Sequence, residues 1–148
     1  MILDERTEFC DNLAVDTTVG TTLEGDIIDL TDARDIGQGQ PIYLVIQVTV
    51  AFAGATATVD FRLRSDGVEA IHATTSTAHL STGPIPIATL VVGYRIVIPI
   101  PPEGDAYERY LGLQLVTATA TTTAGSINAF LTTEPSVTPT TSYPDAAN

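Results

Sequence analysis

The chain has 148 residues, a formal net charge of −12 and a pI near 4.1, and its six basic side chains other than histidine are all arginine. This balance argues against a nucleic-acid binder, because affinity for phosphate backbones comes mainly from Lys and Arg that displace counterions. It argues against an anionic membrane for the same reason. The length fits one domain, and an apolar share of 44% can build its core.

The amino terminus is too charged for a signal peptide, and no run approaches the roughly 18 apolar residues that a membrane helix needs. We therefore expect a chain made in the cytoplasm of its host. Cys10 is the only cysteine, so no intrachain disulfide can form. We interpret Cys10 as a small buried apolar residue and not as a nucleophile, because no histidine lies near it in sequence.

Apolar and polar residues alternate with a period of two in the first half of the chain, which predicts β-strands. Two strands are expected over residues 8–15 and 23–30. The clearest covers residues 42–52, and another follows over 56–64 after an Ala-Gly-Ala turn. We predict that the last two pair as an antiparallel hairpin, with alternate polar residues of 56–64 on a charge-balanced solvent face.

The second half of the chain continues the pattern. Residues 68–81 fit either a short helix or an irregular strand, whereas 94–100, 110–119 and 127–133 are predicted strands. Pro99 cannot donate to a β-ladder, so its strand should end there or run along a sheet edge. About eight strands with turn signals and no βαβ alternation predict an all-β fold, an antiparallel β-sandwich or jelly roll.

The composition changes after residue 133. We predict a sandwich domain over residues 1–133 and an extended Pro- and Thr-rich arm over 134–148, because three prolines stiffen a segment with little to bury. Two interpretations of the arm stay open. It is either a disordered terminus or a segment that lies along a neighbouring subunit, for which Tyr143 would be an anchor.

Few residue patterns point to chemistry. The glycine-rich phosphate loop and the serine nucleophile elbow are both absent from the sequence. The densest polar cluster comprises Glu24, Asp26, Asp29, Asp32 and Asp35. Its carboxylates could bind calcium, but their spacing does not match an EF-hand loop, and turn capping or pairing with Arg34 are alternatives. We expect no catalytic residue, no bound metal and no cofactor.

Several segments together carry a family resemblance: MILD at residues 1–4, IDLTDARDIGQG at 28–39, PIYLVIQV at 41–48, RIVIPIPP at 95–102 and ERYLGL at 108–113. The chain resembles the jelly-roll capsid cement, or decoration, proteins on the heads of some tailed bacteriophages, over roughly residues 1–133. The resemblance implies a non-catalytic virion protein on the outer surface of the capsid. Such proteins bridge neighbouring subunits of the major capsid protein, often as homodimers, and the arm is an addition to the family pattern.

We therefore expect a cement protein that clamps capsid subunits against the pressure of packaged DNA. The alternative is a β-sandwich binding module that recognises carbohydrate or a host surface. Three contact regions are predicted: the amino-terminal segment, the loop over residues 32–40 and the arm. Their residues are Ile2, Leu3 and Arg6, then Arg34 and Asp35, then Val137, Pro139 and Tyr143. For Arg34, an internal salt bridge that shapes the loop is the favoured alternative.

Overall fold

The computed structural model describes residues 5–15, 17–34, 36–37, 39–102 and 106–135. These residues form nine β-strands and two short 3₁₀ helices, and no α-helix occurs among them. The strands are β1 (Glu8–Ala14), β2 (Gly20–Asp29), β3 (Tyr43–Gly54), β4 (Thr58–Asp66), β5 (Thr77–Ser81), β6 (Ile85–Pro86), β7 (Arg95–Pro99), β8 (Tyr110–Ala118) and β9 (Thr122–Thr132). The 3₁₀ helices are Glu5–Thr7 and Ile87–Thr89.

The strands form two antiparallel sheets that face each other. One sheet has the order β1-β9-β3-β7, and the other has the order β2-β8-β4-β5 with β6 also paired to β4. The pairs nest along the chain: β1 with β9, β2 with β8, β3 with β7, and β4 with β5. This nested winding of eight strands into two sheets is a jelly roll, so the predicted fold class is confirmed.

The predicted hairpin between residues 42–52 and 56–64 is wrong. Both segments are strands, but β3 pairs with β7 and β9 in one sheet, whereas β4 pairs with β5, β6 and β8 in the other. The chain crosses between the sheets at Gly54, whose φ of +148° is a backbone angle that glycine adopts and L side chains rarely do. An added Cβ at Gly54 would also lie only 2.7 Å from the carbonyl oxygen of Thr121. Period-two alternation identifies a strand but does not select its partner.

The core lies between the two sheets and is built from aliphatic and phenylalanine side chains. Leu44, Ile46 and Val48 of β3 face Val59, Phe61 and Leu63 of β4 across a fully buried layer, as their alternation predicted. Each such side chain contributes roughly 1.5–3 kcal/mol by leaving water. The predicted solvent face of β4 needs one correction. Asp60 is only 5% exposed, because Arg62, Ser81 and Thr82 enclose its carboxylate.

Three further expectations have clear outcomes. The strand that contains Pro99 ends at that residue and is the outer strand of its sheet, as predicted. The open segment 68–81 is a loop followed by β5. The strand predicted at 127–133 starts at Thr122, because Ala124 and Thr122 pair with the end of β3. The boundary at residue 133 stays a prediction, since residues 136–148 lie outside the described part of the chain.

Candidate functional site

Only part of the predicted contact set can be located. Arg6 and Arg34 lie within the described residues. Six others lie outside them: Ile2, Leu3, Asp35, Val137, Pro139 and Tyr143.

The described residues that adjoin the three predicted contact regions lie at one end of the sandwich. The first 3₁₀ helix, which contains Arg6, leads directly into β1, where Glu8 pairs with Phe130 near the end of β9. The backbone N–H of Arg34 donates to the carbonyl oxygen of Tyr107 at 3.1 Å, so the β2–β3 loop lies against the β7–β8 loop. The β4–β5 loop and the chain that leaves β9 lie at this end too. We call this end the charged end; it comprises the 3₁₀ helix Glu5–Thr7, the β2–β3, β4–β5 and β7–β8 loops and the exit from β9.

A cleft of about 370 Å³ opens between the start of β1 and the end of β2. It is lined by Glu5, Arg6, Glu8, Asp26, Ile27, Ile28, Asp29 and Thr31. Partial burial raises the pKa of Glu8, and the neighbouring carboxylates of Asp11, Glu5 and Asp26 raise it further. The cleft is therefore a region of negative potential that attracts cationic groups.

The acidic cluster proposed from sequence is divided by the fold. Glu24 is buried within β2, Asp26 lines the cleft, and Asp29 binds an arginine. Among the described residues, no group of three or more His, Cys, Asp or Glu side chains is arranged to hold a metal ion. Asp35 lies outside the described residues. The calcium hypothesis gains no geometric support from the members that can be placed.

The prominent ion pair at the charged end is one that sequence reasoning missed. Arg109 donates from Nε and Nη2 to the two carboxylate oxygens of Asp29, at 2.9 and 2.8 Å, and its guanidinium lies 4.8 Å from the ring centre of Tyr110. These hydrogen bonds, with another from the N–H of Thr31, lower the pKa of Asp29 to about 2. The pair joins residues 80 positions apart, so no local pattern could reveal it.

The β4–β5 loop is held by polar contacts at its base. Asp66 accepts hydrogen bonds from the backbone N–H and Nδ1 of His72, at 3.1 and 2.8 Å, and these contacts lower the pKa of Asp66. Arg64 donates to the carbonyl oxygen of Ala73 at 2.8 Å. His72 is exposed, and its contacts with Asp66 order the loop.

Ser65 and His79 lie within 2.7 Å of each other, which resembles a nucleophile beside a base. Ser65 is fully buried, however, and its Oγ accepts the backbone N–H of Glu108 at 3.0 Å. The ring of His79 stacks on Tyr107 with 3.9 Å between centroids, and the Tyr107 hydroxyl donates to the carbonyl oxygen of Pro101. These contacts tie β4 and β5 to the loop before β8, so the pair is structural.

Cys10 occupies the position expected for an apolar residue. Its thiol is buried, its Sγ lies 3.7 Å from the carbonyl oxygen of Ile127, and burial raises its pKa to about 12. A thiol with this pKa is a weak nucleophile at neutral pH.

The Bbp16 family model matches residues 9–131, which is almost the whole sandwich. The chain belongs to the Bbp16 family. Bbp16 is a phage-like virion family, and membership indicates a protein related to viral capsids. This agrees with the viral part of the sequence resemblance.

Other comparisons add less. No curated protein matches the chain significantly. A solved chain from the "Structure of infectious bursal disease virus Gx strain" is similar at 14% identity with a TM-score of 0.38. The match covers 89% of this chain and 32% of the viral chain, so this protein spans about a third of that chain's length. Within the described residues, no helix is long and apolar enough to cross a membrane.

Proposed function

We propose that this Bbp16-family protein is a non-catalytic capsid cement protein. It binds the outer surface of a phage head and clamps adjacent subunits of the major capsid protein. The observation that carries the proposal is the convergence of three chain segments on the charged end: the segment before β1, the β2–β3 loop and the exit from β9. One rigid sandwich can thereby present several contacts to a lattice of subunits.

The mechanism is mechanical. Packaged DNA pushes outward on a thin shell, and a clamp that contacts two subunits at once gains effective concentration for its second contact. If the clamp binds only the expanded shell, it stabilises that state by mass action. The many strand pairings of the jelly roll keep the contact segments at fixed separations, which limits the entropy lost on binding.

The charges favour a protein partner with basic patches. The cleft beside β1 carries carboxylates from Glu5, Glu8 and Asp26, and the chain has a net charge of −12. Complementary charge accelerates docking more than it strengthens the final complex. The same charge repels DNA released from a damaged head.

Sedimentation with purified shells tests this function. The protein should pellet with expanded shells to a saturating copy number and should stay in the supernatant with unexpanded ones. A chain truncated after residue 133 should be retained less well, if the arm contributes to binding. Sedimentation equilibrium of the free protein tests the expected homodimer. Failure of the full chain to bind expanded shells would reject the cement function.

The carbohydrate-binding alternative is less well supported. Sugar platforms need exposed aromatic faces, and the sequence has no tryptophan. Tyr107 is buried beneath His79, and Tyr43, Tyr94 and Tyr110 are only partly exposed. A clear glycan-array signal would favour this alternative over the clamp.

A further inference from the structure

One lateral side of the sandwich is built from a stretch of sequence without carboxylates. Residues 70–102 contain no Asp or Glu, so all eighteen acidic residues lie elsewhere in the chain. This stretch forms β5, β6 and β7, and β5 and β7 are the outer strands of the two sheets. Their neighbours β4 and β3 face each other across the core, so β5 and β7 lie on the same side. We call the surface of β5, β6 and β7 the carboxylate-free side.

The opposite lateral side is acidic and closed. It is formed by β1 and β2, which contain no arginine and carry the carboxylates Glu8, Asp11, Glu24, Asp26 and Asp29. These two strands approach each other so closely that a Cβ added at Gly25 would lie 2.0 Å from the carbonyl oxygen of Phe9. A second copy of this acidic chain therefore meets less repulsion on the carboxylate-free side than on the side of β1 and β2.

The outer edge of β7 presents backbone groups that a further strand could pair with. Val48 donates its N–H to the carbonyl oxygen of Tyr94, and Ile100 donates its N–H to that of Ile42. Because the residues that bond to a given neighbour alternate along an antiparallel strand, the even-numbered residues of β7 face β3. Val97 therefore directs its N–H and C=O away from β3, and its side chain is 38% exposed.

Pro99 restricts the register in which two β7 strands can pair. It belongs to the same outward-facing set as Val97 but has no N–H, and its ring would meet a carbonyl group of the added strand. A two-fold axis at Val97 would place Pro99 opposite Arg95 of the other copy, inside the paired segment. A two-fold axis at Ile96 places Val97 opposite Arg95 instead, and Pro99 opposite Gly93, which precedes β7.

We propose that the outer edge of β7 binds a second copy of this chain, antiparallel about a two-fold axis at Ile96, so that the sheets β1-β9-β3-β7 of the two copies join into one. The inference deepens the proposed function, since it assigns the surface of the expected homodimer. Charge selects a second copy, because two carboxylate-free sides meet and antiparallel pairing turns the two charged ends away from each other. One dimer then presents its contact segments in two directions, as a bridge between two capsid subunits requires.

Two aspartate variants test the assigned surface. Val97→Asp places two carboxylates beside the two-fold axis, whereas Val19→Asp adds the same charge to a valine that is 58% exposed in the connection between β1 and β2. The dissociation constant of the dimer, measured by sedimentation equilibrium, should rise by about a hundredfold for Val97→Asp and by less than about threefold for Val19→Asp. The effect of Val97→Asp should be smaller at about 0.5 M salt than at about 0.05 M.

The backbone contact has tests of its own. Val97→Pro removes an outward N–H and no hydrogen bond to β3, so it should raise the dissociation constant by about tenfold at either salt concentration. In the unaltered chain, the N–H of Val97 should exchange with solvent more slowly as the protein concentration rises through the dissociation constant. The N–H of Ile98, which faces β3, should be protected at every concentration.

The outcomes separate the dimer surface from the cement function. A wild-type chain that is monomeric at about 0.1 mM would overturn the assigned surface and leave the cement function standing. So would a dimer in which Val97 exchanges at the same rate after dilution, or in which Val97→Asp and Val19→Asp dissociate alike. If the chain dimerises through β7 but does not pellet with expanded shells, the surface stands and the cement function falls. Melting temperatures check that each variant remains folded.

Discussion

Arg109 and Asp29 form a bidentate ion pair that joins the end of β2 to the residue just before β8. The two strands are paired at this point, with Asp29 opposite Tyr110. The carboxylate also accepts the N–H of Thr31, which turns the chain out of β2 at a φ of +73°. The pair therefore fixes both a sheet end and the first turn of the β2–β3 loop, which contains the predicted contact residue Arg34.

Replacing Asp29 with Asn should lower the free energy of unfolding at pH 7, and this loss should disappear in acid. The pKa of Asp29 is about 2 in the folded chain and near 3.8 when unfolded, so its contribution is complete above about pH 4 and is lost as the pH falls through 2. Urea unfolding at pH 7, 4 and 2 should show the difference shrinking in that order. Glu69→Gln, which removes one charge at an exposed position, is the control. A deficit that is constant across this range would contradict the assignment.

Glu8 should behave in the opposite sense. Its raised pKa means that the folded chain disfavours the ionised form, so the charge destabilises the protein at neutral pH and stops doing so when it is protonated. Glu8→Gln should therefore raise the melting temperature at pH 7, and the gain should fade as the pH falls towards 4.5, the unfolded value of the pKa, and be absent below it. Glu134→Gln makes the same chemical change at an exposed site. The prediction fails if the two variants shift the melting temperature alike.

Gly25 should not tolerate a side chain. Its φ is +72°, and an added Cβ would lie 2.0 Å from the carbonyl oxygen of Phe9, where β1 and β2 approach across the sandwich edge. We expect Gly25→Ala to cost about 3 kcal/mol in the free energy of unfolding. Gly39→Ala has a similar φ of +82° but open space around the new methyl group, so it should cost only about 1 kcal/mol. Equal losses would show that backbone strain, and not the contact with β1, is decisive.

Cys10 should be protected from thiol reagents. Because its thiol is buried and its pKa is about 12, labelling by a disulfide reagent at pH 8 should be at least about a hundredfold slower in the folded chain than in urea. The rate should follow global unfolding and should rise in Gly25→Ala, since Cβ of Cys10 lies beside that glycine. Rapid labelling of the native chain would show that β1 separates from the sandwich.

The fold class and most strands could be predicted because alternation with a period of two reports directly on a half-buried strand. Strand pairing could not be predicted in the same way. A hairpin between 42–52 and 56–64 is the pairing that two neighbouring segments would make locally. Instead, β3 is an interior strand that pairs with β7 on one side and β9 on the other. It is also buried on both faces of its sheet, since Val45 and Leu44 are both fully buried. Thr122 to Gly125 looks like a connection but forms part of β9, because the end of β3 supplies its hydrogen bonds.

The linear order of residues by itself determined the all-β class, the buried thiol and the viral resemblance, since composition and alternation are properties that each segment carries alone. Only the tertiary structure decided which segments meet. Loops that are tens of residues apart in sequence meet at each end of the sandwich, and Arg109 pairs with Asp29 from 80 positions away. The physical reason is that nested antiparallel pairing brings distant segments together through backbone hydrogen bonds. These bonds are made by the same N–H and C=O groups in almost every residue, so the side-chain sequence does not specify which strands pair.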